Sequence, residues 1–161
     1  MKNIIYILSI LFIASCASSP QECETKANGF IEGVEGQVTM GEQSSVEVFN
    51  QIDKAWAELD YETLKTFVAE GAEMRFADGR VGVGPDEFIE IIKAWVSEVE
   101  NEDGNEYTWN TDYAFSLAVT SIDGDWVNAQ FTSTHTNPDS ELEAEVFYEF
   151  YHIVDGKIQE L

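Results

Sequence analysis

From Ser44 onward apolar residues recur at three- and four-residue steps. Val48, Phe49, Ile52, Trp56 and Leu59 follow this spacing, which predicts an amphipathic helix. Ser44-Ser45-Val46-Glu47 has the form of a capping box at its start. Asp60 is placed to cap a second, shorter helix over 61–70, with Leu64, Phe67 and Val68 on one side and Gly71 as its stop. Short extended stretches at 73–76 and 81–83, around the turn dipeptide Asp78-Gly79, predict a small hairpin. Gly84-Pro85-Asp86-Glu87 then opens a third helix, with proline at the first helical position and acids in the first turn. Its predicted buried stripe is Phe88, Ile91, Ile92, Trp95, Val96 and Val99, and it ends near Asn101-Glu102-Asp103-Gly104.

Beyond that point the period changes to two. Strands are predicted over 107–122, 126–136, 143–154 and 157–161, divided by the turns Asp123-Gly124-Asp125, Asn137-Pro138-Asp139-Ser140 and Asp155-Gly156. Helices first and antiparallel strands afterwards is the order of an α+β domain, so the expectation is three N-terminal helices packed on a curved antiparallel sheet.

The start of the chain has a different texture. Lys2 precedes an apolar run over 4–13 broken only by Ser9, too short to span a bilayer and suited to a secretory leader over 1–15. Ile13-Ala14-Ser15-Cys16 has the form of a bacterial lipobox, which makes Cys16 the expected lipidated N-terminus; an ordinary secretory cleavage with Cys16 incidental is the alternative. Residues 16–43, with Ser18-Ser19-Pro20 and scattered glycines, read as a flexible tether ahead of a domain over 44–161. With Cys16 acylated, Cys23 has no partner within the chain, so no disulfide framework is expected. The expected location is the bacterial cell envelope, lipid-anchored on the extracytoplasmic side.

Charge narrows the partners further. The 161 residues carry 31 acids against 8 Lys and Arg, a formal net charge of −23, and such a surface repels nucleic acid and anionic lipid alike. The acyl chains would hold the protein to the membrane against that repulsion. No His-x-x-x-His, Cys-x-x-Cys, Gly-x-Ser-x-Gly or phosphate loop occurs, so no zinc, redox, serine-hydrolase or nucleotide site is expected. Asp123-Gly124-Asp125 lacks the ligand run of a calcium loop and reads as a turn.

The order of elements, together with particular residues, resembles the nuclear transport factor 2-like superfamily, especially its bacterial SnoaL-like members. The residues that carry the resemblance are Ala55-Trp56-Ala57-Glu58-Leu59-Asp60-Tyr61-Glu62-Thr63-Leu64 at the end of the first helix, Phe76-Ala77-Asp78-Gly79 in the hairpin, and Gly84-Pro85-Asp86-Glu87-Phe88 opening helix three. Trp126-Val127-Asn128-Ala129 and the terminal Asp155-Gly156-Lys157-Ile158 fit as well, so the match covers about 44–161. One departure is the stop at Leu161, where the family's last strand commonly runs further. The resemblance implies a cone-like fold whose helices and concave sheet face enclose an apolar pocket, and whose opposite face often forms a homodimer. It also implies enzymes that work without metal or cofactor, through a carboxylate or histidine base beside a phenol or amide donor.

Strand parity nominates pocket residues. In the first long strand Tyr107, Trp109, Thr111, Tyr113 and Phe115 share a face, and Asp112 lies on the other unless a bulge shifts the register. In the next two, His135 shares a face with Phe131, and His152 with Tyr148 and Phe150. The chain's two histidines are thus expected on the concave face with Tyr113, and His135, His152, Tyr113 and Asp112 form the candidate catalytic set. Two hydrogen-bonded structural histidines are the competing reading. Trp56, Trp95, Trp109, Phe131, Tyr148 and Phe150 are the candidate ligand-binding residues. Glu143, Glu145 and Glu149 read as a solvated sheet face or the rim of a dimer contact, and Asp53 as solvent-facing.

Three functions follow as expectations. The first is a membrane-anchored module binding a small apolar or amphipathic molecule. The second is a cofactor-free isomerase, dehydratase or cyclase, and the third a purely structural dimer.

Overall fold

Phe49, Ile52 and Trp56 lie on one side of a helix and are all buried in the computed structural model, which describes residues 27–161. The expected leader, Cys16, Cys23 and the first part of the expected tether lie outside the described residues. The helix, α1, spans Gln43–Ala57. Its expected capping box is not used. Glu42 takes the N-cap without a side-chain bond. Ser45 Oγ donates instead to Asp125 Oδ2 at 2.5 Å, and the Glu42 amide donates to the same oxygen at 3.0 Å. A buried carboxylate from far along the chain therefore replaces the local cap, because a charged acceptor binds the free amides and the positive helix end more strongly than a hydroxyl does.

The second helix, α2, covers Tyr61–Thr66, with Asp60 accepting from the Thr63 amide at 3.1 Å. It is shorter than its local pattern predicts. Residues Val68–Arg75 form strand β2, and Gly71, expected as a helix stop, lies inside it. Tertiary burial overrides helical propensity here: Val68, Ala72 and Met74 enter the core, and Val68 pairs with Ile158. β3 (Val81–Val83) completes the expected hairpin, turning at Gly79 with φ +89°. Helix α3 (Gly84–Ser97) buries Phe88, Ile89 and Ile92 and continues into a π-helical turn over Glu98–Glu102.

The long strands are β4 (Asn110–Val119), β5 (Asp125–Thr134) and β6 (Ala144–Val154), followed by β7 (Lys157–Glu160). A further short strand, β1 (Val38–Met40), pairs with β4 and lies within the stretch expected to be tether. The seven strands form one sheet in the order β1-β4-β5-β6-β7-β2-β3. The sheet is mixed rather than purely antiparallel, because β2 runs parallel to β7. The chain between these two strands passes through α3 and the whole β4–β6 meander before β7 arrives beside β2, which permits the parallel pairing.

One residue sets the two faces of β4. Thr111 pairs with Phe131 and Tyr113 with Gln130, leaving Asp112 as an extra residue. Thr111 therefore falls on the helix side with Phe131, and Tyr113 and Phe115 fall on the opposite side. On the helix side Val127, Ala129, Phe131, Tyr151 and Ile153 pack against Phe49, Ile52, Trp56 and Phe88. The contacts include Phe49 edge-to-face with Tyr151 at 5.2 Å and Trp56 with Phe88 at 5.1 Å.

Candidate functional site

Between the helices and the helix-side face of the sheet lies a cavity of about 410 Å³. Asp53 and Trp56 border it from α1, Tyr107 and Trp109 from the segment leading into β4, Phe131 from β5, and Phe147, Glu149 and Tyr151 from β6. The periodicities of the elements bring these side chains together. Asp53 and Trp56 are three residues apart on one side of α1, and Phe147, Glu149 and Tyr151 alternate along β6. Phe131 stacks on Phe147 at 5.2 Å, forming an aromatic floor beside Glu149.

The polar groups in this apolar space have specific partners. Tyr151 donates its hydroxyl hydrogen to Glu149 Oε2. Trp56 Nε1 donates to the Tyr107 hydroxyl oxygen at 3.0 Å, which leaves the phenol's own proton for another acceptor. Asp53 accepts from Trp109 Nε1 at 2.9 Å and from Thr111 Oγ1 at 2.8 Å, so its carboxylate is held in one orientation. Burial pushes the Glu149 carboxyl up to about 7, against the lowering effect of the Tyr151 hydrogen bond and with the Asp53 charge adding to the rise. Burial raises the Tyr151 phenol well above its usual value, and the neighbouring Glu149 charge reinforces the shift. Burial raises Tyr107 too, with the Trp56 bond opposing it. Both phenols are therefore permanent donors near neutral pH.

The four residues nominated for catalysis are not brought together. His152 lies on the sheet face away from the helices, its ring stacked on Trp126 at 4.5 Å and its Nε2 2.8 Å from the Asp123 carbonyl oxygen. His135 sits just past the end of β5, with Nδ1 2.7 Å from Ser140 Oγ and Nε2 3.6 Å from Glu145. Tyr113 is on the outer face with Phe115, displaced there by the bulge. Asp112 is exposed on the same face, and bonds from Gln130 at 2.9 Å and Thr132 at 2.7 Å hold its carboxyl below the usual range. The shared concave face expected for the two histidines is therefore not realised, because β6 presents the opposite parity to the helices.

Of the nominated aromatic residues, Trp56, Trp95, Trp109 and Phe131 line the cavity. Tyr148 and Phe150 border it by position, but they pair with Gln130 and Asn128 and are 58% and 54% exposed, so their rings lie on the outer face. Asp53, expected in solvent, is half-buried at the cavity wall.

No protein-family model matches the chain, and no curated protein is significantly similar to it in sequence. Solved structures do match it in shape. A candidate ketosteroid isomerase from Kribbella flavida superposes with a TM-score of 0.54 at 10% identity, over 73% of this chain and 74% of that one. A candidate polyketide cyclase from Sinorhizobium meliloti gives 0.53 at 17% identity, over 71% and 90%. A nuclear transport factor 2-like protein of unknown function from Cytophaga hutchinsonii gives 0.50 at 10% identity, over 72% and 84%. The chain has the nuclear transport factor 2-like fold.

Within this fold, Glu149 is the cavity carboxyl that sequence parity missed. The signal was present but ambiguous. Glu149 alternates with Phe147, Tyr151 and Ile153, a set as apolar as Val146, Tyr148 and Phe150 on the other face, so hydrophobicity alone did not say which set faces inward. An acid interrupting an otherwise aromatic strand face is the pattern that points to a tuned carboxyl.

Proposed function

We propose that the chain is a cofactor-free proton-transfer enzyme of the isomerase, dehydratase or cyclase kind, acting on a small and largely apolar carbonyl compound held in the cavity. The carrying observation is Glu149, a carboxyl pushed up to about 7 inside an aromatic cavity that also holds the Tyr107 phenol, whose proton is unengaged among the described residues. A carrier for apolar molecules has no use for a carboxyl that costs stability when it ionises, and this favours chemistry over storage. The ketosteroid isomerase and polyketide cyclase descriptions of similarly folded proteins are chemistry of this class.

In this reading the Glu149 carboxylate removes a proton from the carbon beside the substrate carbonyl. Tyr107 donates a hydrogen bond to the carbonyl oxygen as negative charge develops there. Tyr151 fixes the Glu149 carboxylate, Asp53 keeps its proton affinity high, and the aromatic walls exclude water that would weaken these interactions. Protonated Glu149 then returns the proton to a different carbon or to a departing hydroxyl; in the cyclase case the enolate carbon attacks a second carbonyl carbon of the same molecule, whose π electrons move to its oxygen, and Glu149 protonates the resulting alkoxide.

The test is solvent deuterium exchange at the carbon beside the carbonyl of a small aryl ketone such as 2-tetralone, followed by NMR. The protein is expected to accelerate exchange, with a rate that rises through about pH 7 and is lost in Glu149→Gln. Equal exchange by wild type and Glu149→Gln would overturn the assignment. The Cys16 lipobox supports placement of this activity at the cell envelope, which the mass of the processed N-terminus and a Cys16→Ser variant in membrane fractionation would test. Tyr113, Phe115, Val146, Tyr148 and Phe150, each between 39% and 58% exposed on the outer face, support a homodimer through that face.

A further inference from the structure

We propose that the substrate carries a cationic nitrogen beside its apolar body, and that Asp53 and the Tyr107 and Trp109 rings beside it receive this nitrogen. The inference rests on reading the cavity as a substrate site and adds the charge of what enters it. Four carboxylates border the cavity: Asp53 and Glu149 are half-buried in it, and Glu106 and Glu145 are exposed. Arg75 is the one cation among the described lining residues, and its guanidinium is paired with Glu73. A neutral or anionic guest leaves this negative field uncompensated, whereas an ammonium group neutralises it.

The aromatic geometry points the same way. Trp56 and Trp109 stand 6.3 Å apart at 80°, and Tyr107 and Trp109 stand 5.4 Å apart at 82°. Rings at these distances and angles touch edge to face, which fixes the orientation of Trp109 at the cavity wall, and the π-face of a partly exposed tryptophan is the best side-chain surface for a cation. Trp109 Nε1 donates to Asp53, so the carboxylate is fastened to this wall. Each Asp53 oxygen accepts one bond in the protein and keeps a lone pair for a guest N–H.

Three probes of matched shape test the proposal on the full-length protein: 4-phenylbutylamine, 4-phenylbutanol and 4-phenylbutyrate, titrated by calorimetry at about 0.15 M salt, where diffuse surface attraction is screened. The amine is expected to bind at least about tenfold more tightly than the alcohol, and the carboxylate weakest. Asp53→Asn is expected to bring the amine to within about threefold of the alcohol. Equal binding of amine and alcohol overturns the proposal and leaves the cavity as a substrate site. So does a preference for the carboxylate, or an amine preference that survives Asp53→Asn. Failure of all three probes to bind overturns the substrate-site reading along with it. Should Asp53→Asn unfold, the wild-type ranking of the three probes decides.

Discussion

Replacing Glu149 by Gln should stabilise the protein above neutral pH while removing its activity. The Glu149 carboxyl ionises near 4.5 in an unfolded chain and at about 7 in the folded one. Between those values the folded state holds more protons than the unfolded state, so stability falls as pH rises from below 4.5 through about 7. At about 1.4 kcal/mol for each tenfold difference in proton affinity, the gap amounts to about 3 kcal/mol, and water entering the cavity reduces this to about 2–3 kcal/mol. Glutamine carries no charge at any pH and can still accept the Tyr151 hydrogen through its amide oxygen. Glu149→Gln should therefore match wild type within about 1 kcal/mol below pH 4.5 and exceed it by about 2–3 kcal/mol at pH 8, or about 6–10 °C in Tm for a domain of this size. Thermal melts of both proteins at half-unit pH steps from 4 to 8 read this as a growing difference. A difference that stays flat across the range, or a variant less stable than wild type at pH 8, would show that Glu149 is not held up by burial and would remove the basis for its role as a base.

Asp53→Asn removes a negative charge that raises Glu149, so the acid limb of the deuterium-exchange profile should move below pH 7, the sign being opposite to that of a desolvating change. Asp125→Ala strips the N-terminus of α1 of two hydrogen bonds, one from the buried Ser45 hydroxyl, and should cost about 2–4 kcal/mol by urea denaturation, whereas Ser45→Ala should cost about 1 kcal/mol. On the proposal of a homodimer through the outer face, Tyr148→Glu, which places a charge in that exposed patch, should sediment as a monomer at micromolar concentration where wild type sediments as a dimer, with its thermal midpoint at low protein concentration unchanged.

Sequence periodicity located most of the secondary structure. The α1 stripe of Phe49, Ile52 and Trp56, the Pro85 start of α3 and the turns at Asp123-Gly124 and Asp155-Gly156 are local signals, and each stands where local chemistry puts it. What was not legible depends on distant residues. β2 replaces the end of a helix because β7 arrives beside it some ninety residues later, and α1 gives up its serine cap to an aspartate that belongs to β5. The site was lost for a related reason. Trp56 and Trp109 could be nominated because aromatic residues on the core side of regular elements point inward, whereas Glu149 looked like a surface acid because its burial follows from which way the whole of β6 is turned.

The division of the β4 aromatic residues can be traced to one residue. Without Asp112 as an extra residue, Thr111 and Tyr113 would share a face, and the aromatic residues 107, 109, 113 and 115 would crowd the helix side together. The bulge divides them. Tyr107 and Trp109 go to the cavity, Thr111 is left free to fasten Asp53, and Tyr113 and Phe115 go to the outer face beside Tyr148 and Phe150. With Gln130 and Thr132 bonded to the Asp112 carboxylate on the outer side, Phe131 between them must point inward, and its partner Phe147 sets Glu149 and Tyr151 inward as well. Asp112, nominated as an acid for chemistry, thus takes no part in the cavity yet divides the aromatic residues of β4 between the two faces. An edge residue that fixes register in this way holds no proton for the substrate, and its side-chain bonds are spent on keeping the two faces of the sheet distinct.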